Sequence, residues 1–430
     1  MKYWYKIHKW ASLVCAIFFL IMCMSALPLI FGREIKEFNQ INVSAISEDS
    51  PIGGSNLSLD KLAEKSLKLY PGYNLRSVYL NHEKQSAGFS LKGEGKDYRY
   101  IQMDLHTAKI IEQSDDQGIK YEFISQFINF MYRMHVDMYL GSFGHNLLGF
   151  MCGLSIVALI SGLWLYAPFM KNISFGTIRS GHRRIYWMDW HKLLGIVTLS
   201  WAVLLCLSGF IFVFSGPIQN TWQENTRTEF LVSYQGKPFP PQRILLDDVL
   251  NITQMAAPTR QITRIQLPQE EGNMPWHYVV QTAGEGFSTH FYHSVWIDAE
   301  NGHITAMIEA PWYIELLSLA RPIHFSNHDT LLLKILWFLI DALTCVMIIT
   351  GIYAWFVKFR PLNKTMATKP TKVLCPVRQS TRQIWLLPAT IIFLSLCGIL
   401  GPLAGKEWNN ISTVALGTPF ILTLYYWWRS

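Results

Sequence analysis

The sequence predicts a polytopic α-helical membrane protein that carries two small α+β domains outside the bilayer. Half of the 430 residues are hydrophobic and only 16% are charged, which sets the chain apart from ordinary soluble proteins. Six apolar stretches, at 10–31, 145–168, 192–214, 331–357, 384–402 and 411–428, are candidates for the roughly 18-residue length that crosses a bilayer as a helix. Two long segments between them show strand and turn patterning instead.

The resulting division is 1–31 (helix), 32–130 (outer domain), 131–168 (helix), 169–190 (loop), 191–214 (helix), 215–320 (outer domain), 321–357 (helix), 358–383 (loop), and two shorter helices at 384–402 and 411–428. Pro388, Pro402 and Pro419 in the last pair are tolerated in membrane helices. Sixteen Trp and nineteen Tyr suit interfacial belts, as in Tyr425-Tyr-Trp-Trp428. The first run has the outline of a signal peptide, but its length favours an uncleaved helix that keeps His8.

Lys and Arg in short loops set the orientation. Lys2, Lys6 and Lys9 precede the first helix, and Lys171, Arg179, Arg183 and Arg184 fill loop 169–190. Lys358, Arg360, Lys364, Lys369, Lys372, Arg378 and Arg382 fill loop 358–383. These faces are expected to be cytoplasmic, with both chain ends inside and both α+β segments outside. The formal net charge of +7 follows from this bias, so nucleic-acid binding is not inferred. Neither outer segment contains cysteine, which excludes a disulfide framework there, and no CxxC or CxxCH occurs.

The two outer segments read as divergent copies of one unit. The first has a helix at 57–70 capped by Ser58, then strands at 74–80, 86–92 and 98–104 and a turn begun by Asp104. The second has a helix at 244–255, strands at 261–267, 276–282 and 289–297, and a turn begun by Asp298. A linker rich in Ser, Asn and Gly, 47–58, precedes the first copy.

Each of the first four hydrophobic stretches carries a histidine at or just before its start: His8, His135 and His145, His191, and His324. Three of these sites read alike, as His8-Lys-Trp-Ala-Ser12, His145-Asn-Leu-Leu-Gly149 and His191-Lys-Leu-Leu-Gly195. An imidazole at a helix end with a small residue one turn further suits a flat metal-bearing cofactor, so membrane-embedded haem is expected. The charge bias sorts the histidines onto two faces. His8 and His191 form the inner pair; His324 takes His135 or His145 on the outer face. Arg133 and Arg321, and Arg183, Arg184 and Lys192, are candidate propionate partners. Asp341 and Lys334 are charges within a membrane run, where burial is costly. His290 and His293, placed three apart in one strand, face opposite sides and make a poor shared metal site with His277. No Walker loop, GxGxxG or catalytic triad is present, so an electron donor must be external.

These residues resemble the PepSY-associated transmembrane family, iron-regulated inner-membrane proteins that include ferric-siderophore reductases. The resemblance covers roughly 1–358. It rests on Tyr5-Lys-Ile-His8-Lys-Trp10, Met134-His135 with Gly141 and Gly144, Ser161-Gly-Leu-Trp-Leu-Tyr166, Trp190-His-Lys-Leu-Leu-Gly195, Ile323-His-Phe325 and Thr350-Gly-Ile-Tyr-Ala-Trp355. It implies PepSY domains outside and a four-helix core holding two b haems. By motif position His8, His135, His191 and His324 match the family's histidines, which favours His135 over His145. His145, His328 and the helices after 383 depart from the shortest members. The expectation is an inner-membrane di-haem reductase passing electrons from a cytoplasmic donor to a periplasmic ferric siderophore or other iron chelate, with no catalytic residue beyond the haem. The rivals are a haem-free scaffold whose PepSY domains bind a periplasmic partner, and an iron-chelate transporter.

Overall fold

The computed structural model describes residues 1–32, 34–35, 57–95, 97–113, 122–180, 182–325, 330–357 and 378–430. Most of the 47–58 linker, His328, Cys375 and the loop cations from Lys358 to Lys372 lie outside the described residues. In chain order the elements begin with α1 (Lys2–Ile30), α2 (Leu59–Leu69), β1 (Asn74–Asn81), β2 (Ser86–Lys92), β3 (Tyr98–Asp104) and β4 (Ile110–Gln113). Next come α3 (Glu122–Val136), α4 (Gly141–Met170), α5 (Arg183–Phe214), α6 (Gly216–Leu231) and α7 (Leu246–Ala256). Then follow β5 (Gln261–Gln266), β6 (His277–Ala283), β7 (His293–Asp298), β8 (Ile304–Glu309) and α8 (Trp312–Ser318). The chain closes with α9 (Ala320–His324), α10 (Leu331–Val357), α11 (Thr381–Leu400) and α12 (Asn409–Arg429). They form two compact units: a helical unit from Met1–Ile41, Tyr121–Gly216 and Leu319–Ser430, and a sheet unit from Asn42–Lys120 and Pro217–Ser318.

In the helical unit α1 packs on α4 and α10, and α5 packs on α4, α10 and α11. Small and sulfur-bearing side chains line these contacts, among them Ala11, Cys15, Cys23, Cys152, Ala158, Ala202 and Cys206, all buried. Small residues let helix backbones approach where lipid removes the hydrophobic drive for association. The opposite faces leave Ile17, Phe150, Ile160, Leu339, Ile349 and Phe393 exposed, an apolar surface suited to lipid. Among the described residues five helices, α1, α4, α5, α10 and α11, are long and apolar enough to cross a membrane. The expected sixth span, α12, falls short because Asn409, Asn410, Ser412, Thr413, Thr418 and Thr423 dilute its apolar residues.

The segment expected as one helix from 131 to 168 is broken. The last turn of α3 is followed by Met138 and Tyr139 at φ 50° and 60°, and Gly141 opens α4 at φ 59°. Gly144 permits this corner, since a Cβ there would stand 1.9 Å from the Asp137 carbonyl oxygen. Arg133 ties the corner down by a 2.8 Å ion pair to buried Asp137. A second departure is α5, which starts at Arg183, two turns before the expected boundary.

The two α+β copies do not stand as separate domains. They share one antiparallel eight-stranded sheet in the order β4-β3-β2-β1-β5-β6-β7-β8. The halves join where β1 pairs with β5, with Ser77, Val78 and Tyr79 opposite Gln266, Ile265 and Arg264. Joining removes two exposed strand edges. Val78, Phe89, Ile101, Met103, Ile265, Val280, Val295 and Ile297 are fully buried in one core with Leu62 of α2 and Val249 of α7. Leu231 of α6 packs with Val279, Trp296, Ala306 and Ile308 in a second, smaller core. The outermost strands β4 and β8 lie beyond the expected ones. His290 belongs to a 3-10 turn and not to the strand with His293, so the expected opposite-face argument does not apply.

The helices of the two copies cap each other. Asp60 accepts from the backbone N–H groups of Leu246 and Asp247 at 2.9 and 3.1 Å, and Asp247 accepts from that of Leu59 at 2.8 Å. Each carboxylate thus satisfies orphan donors and meets the positive end of the other helix. Asp60→Ala should lower the unfolding midpoint of the sheet unit, at a cost of about 1–2 kcal/mol, measured by thermal unfolding of the full chain in detergent.

His277 supplies a pH dependence. It is fully buried, with Nε2 2.8 Å from the Thr305 hydroxyl, and burial pushes its pKa down to about 4. The unfolded chain therefore binds more protons than the folded one between about pH 6.5 and about pH 4. The contribution is fully present above that window and is lost as pH falls through it. His277→Gln should flatten the fall in melting temperature across this window relative to the unmodified chain.

Candidate functional site

Four of the five predicted histidines are held in one recurring manner. A helix carbonyl or hydroxyl engages Nδ1, a Ser or Thr sits three residues beyond the carbonyl, and a small residue follows. His8 donates Nδ1–H to the Ala158 carbonyl at 2.9 Å, and Ser161 donates to the same oxygen at 2.9 Å. His191 donates to the Met347 carbonyl at 2.9 Å, and Thr350 donates to it at 2.8 Å. His135 donates to the Met22 carbonyl at 2.9 Å, and Ser25 donates to it at 3.0 Å. His324 differs, because its Nδ1 meets the Ser208 hydroxyl at 2.9 Å. That hydroxyl spends its own proton on the Leu204 and Leu205 carbonyls, so it accepts from His324.

The small residues make room for the rings. A Cβ on Gly162 would come within 2.9 Å of the His8 ring, and one on Gly351 within 2.8 Å of the His191 ring. At Gly209 it would lie 3.7 Å from the His324 ring. With every Nδ1 carrying the proton, each Nε2 keeps a free lone pair. A backbone acceptor on the far nitrogen is the usual support of a metal-binding imidazole.

The rings meet in two pairs. His8 and His191 have centroids 6.3 Å apart and planes inclined by 54°. His135 and His324 have centroids 5.9 Å apart and planes inclined by 59°. Metal–imidazole bonds of roughly 2 Å, extended by about 1 Å to each ring centre, separate two axial imidazole centroids by roughly 6 Å. Both pairs fit that spacing. Among the described residues no three His, Cys, Asp or Glu side chains could hold a metal ion together. On both α1 and α5 the histidine of the first pair precedes by 14 residues the carbonyl that the second seat's hydroxyl engages, His8 before Met22 and His191 before Leu205. The two levels are therefore about 21 Å apart along these helices.

A cavity of about 490 Å³ contains the first pair. Leu13, Ala16, Phe19, Leu159 and Ile348 contribute apolar walls, and Tyr5, Lys9, Arg184 and Lys192 polar groups. The size and mixed lining suit a flat amphiphilic cofactor. Ser12 and Gly195, the small residues of the sequence pattern, line this space, and a Cβ on Gly195 would meet nothing within 4 Å. Of the expected propionate partners, Arg184 faces the cavity, and its buried Nε has no hydrogen-bond partner among the described residues. Lys192 is instead paired with buried Asp189 at 2.6 Å, which Arg179 also grips at 2.8 Å. Arg133 is taken by Asp137, Arg321 lies over the Phe325 ring, and Arg183 is exposed.

His145 joins neither pair. It lies in the first turns of α4 beyond the corner at 137–141, and Gly149 packs against Val213 rather than a cofactor space. The straight-helix separation of His135 and His145 does not apply across that corner. The carbonyl seats were missed from sequence, although a signal existed. Ser25-Ala26, Ser161-Gly162, Ser208-Gly209 and Thr350-Gly351 recur in the four helices, and Ser25 and Ser208 both stand 17 residues after a histidine.

No curated protein matches this chain. A family model described as the PepSY-associated TM region matches residues 5–358, a span that contains both histidine pairs and all four seats. The chain is thus a membrane protein of the PepSY-associated transmembrane family.

Proposed function

We propose that this protein is a di-haem b-type reductase of the bacterial inner membrane, moving electrons from a cytoplasmic donor to a periplasmic ferric chelate. The observation that carries the reading is the pairing of four imidazoles, each with Nδ1 bound and Nε2 free. Haem would supply a one-electron iron couple. His8 with His191, and His135 with His324, would each hold one haem iron, which would then exchange electrons with the chelate without binding it. The Ala158, Met347 and Met22 carbonyls orient their rings and raise imidazole basicity. Arg184 would offset propionate charge at the first pair. The Lys and Arg bias of the loops supports a cytoplasmic first pair, periplasmic second pair and periplasmic sheet unit. A siderophore suits the substrate role because its oxygen donors hold Fe(III) far more tightly than Fe(II).

The detergent-purified protein should give a b-type α-band in its dithionite-reduced minus oxidised spectrum; a featureless spectrum would favour the haem-free scaffold or transporter. His8→Ala or His191→Ala should remove about half the haem, and His135→Ala or His324→Ala the other half. His145→Ala should retain both equivalents. Gly351→Leu, which leaves every ligand in place but fills the His191 seat, should also lose about half while still inserting into the membrane. Haem content per chain by pyridine haemochrome decides each case.

A further inference from the structure

Asp341 of α10 is 1% exposed, and among the described residues neither carboxylate oxygen has a partner at ordinary hydrogen-bond geometry. An unpaired carboxylate in a membrane-spanning helix is costly, and such residues mark function more often than packing. Its surroundings place it near the second histidine pair. The Cys23 thiol of α1 and the Trp201 indole of α5 are the polar groups that face it. Cys23 adjoins Met22, whose carbonyl holds His135. Trp201 stands two turns before Ser208, whose hydroxyl meets His324. Asp341 itself lies six residues, about 9 Å, from the Met347 carbonyl that holds His191. It therefore sits between the two levels, and its neighbours Cys23 and Trp201 stand nearer the second along α1 and α5.

Few other groups titrate nearby. Cys206 of α5 and Cys345 of α10 are buried thiols near Cys23. Lys334, about 10 Å along α10, is already paired with Glu34. The part of α12 before Tyr425 carries no titratable side chain. No described cation therefore neutralises Asp341.

We propose that Asp341 binds a proton when the second histidine site takes up an electron. The inference rests on the di-haem reading. With the second site oxidised, its positive charge would favour the carboxylate form of Asp341. One electron from the external donor cancels that charge, and one proton from water joins an Asp341 oxygen, leaving the pair electrically balanced. A unit charge about 10 Å away in a protein interior changes proton affinity on the order of tenfold.

The test is spectroelectrochemical titration of the haem-loaded full chain at a series of pH values, with His135→Ala identifying the second centre. Its midpoint should fall by about 59 mV between the low- and high-pH limits, the equivalent of tenfold coupling for one electron, while the first centre changes less. Asp341→Asn should abolish the slope and leave two haems per chain. If Asp341→Asn does not fold, the reduced-minus-oxidised infrared spectrum of the unmodified protein should show a new carboxylic C=O band. Two haems with an unchanged slope in Asp341→Asn, or no such band, would overturn the role of Asp341 alone. A chain without haem would overturn the di-haem reading and this inference with it.

Discussion

The helical unit depends on hydrogen bonds from imidazole Nδ1 to an acceptor on a neighbouring helix. Four such bonds, from His8, His135, His191 and His324, cross-link helices that meet largely through dispersion contacts. A helical carbonyl is normally satisfied within its own helix, so offering it to a second donor requires close approach. The hydroxyl at the third position gathers on the same carbonyl or stands in for it, and the small residue at the fourth admits the ring. One local motif thus sets helix spacing, ring orientation and tautomer together.

Charge within the unit follows the same economy. Asp189 is buried but meets both Arg179 and Lys192, so it fastens the start of α5. Asp137 meets Arg133 and fastens the corner that turns α3 into α4. Lys334 meets Glu34. Against these paired groups the bare carboxyl of Asp341 stands apart. A structural role would be served better by an amide or a paired acid.

The sheet unit shows how a duplicated fold can become one body. Each copy alone would expose an edge strand and leave backbone N–H groups at its helix start without the carboxylate of the other copy. Pairing β1 with β5 covers the edges, and the exchange between Asp60 and Asp247 caps both helices. The same residues that make the copies similar therefore make them interdependent.

Much of this was legible in the sequence. Apolar length located the membrane helices, alternation located β2 and β3 to the residue, and Asp104 and Asp298 marked turns that their carboxylates hold. Those features depend on local spacing, which a chain carries regardless of its fold. The histidines were visible as a set, but their partnership was not. Two left-handed residues at 138 and 139 redirect the backbone, bringing His135 to His324 and leaving His145 aside. Similarly, two α+β patterns could not reveal that their edges pair. By itself the sequence determined which residues could bind and which segments could span. Only the tertiary structure decided which residues meet, because ring pairs, carbonyl seats and strand edges join positions more than a hundred residues apart.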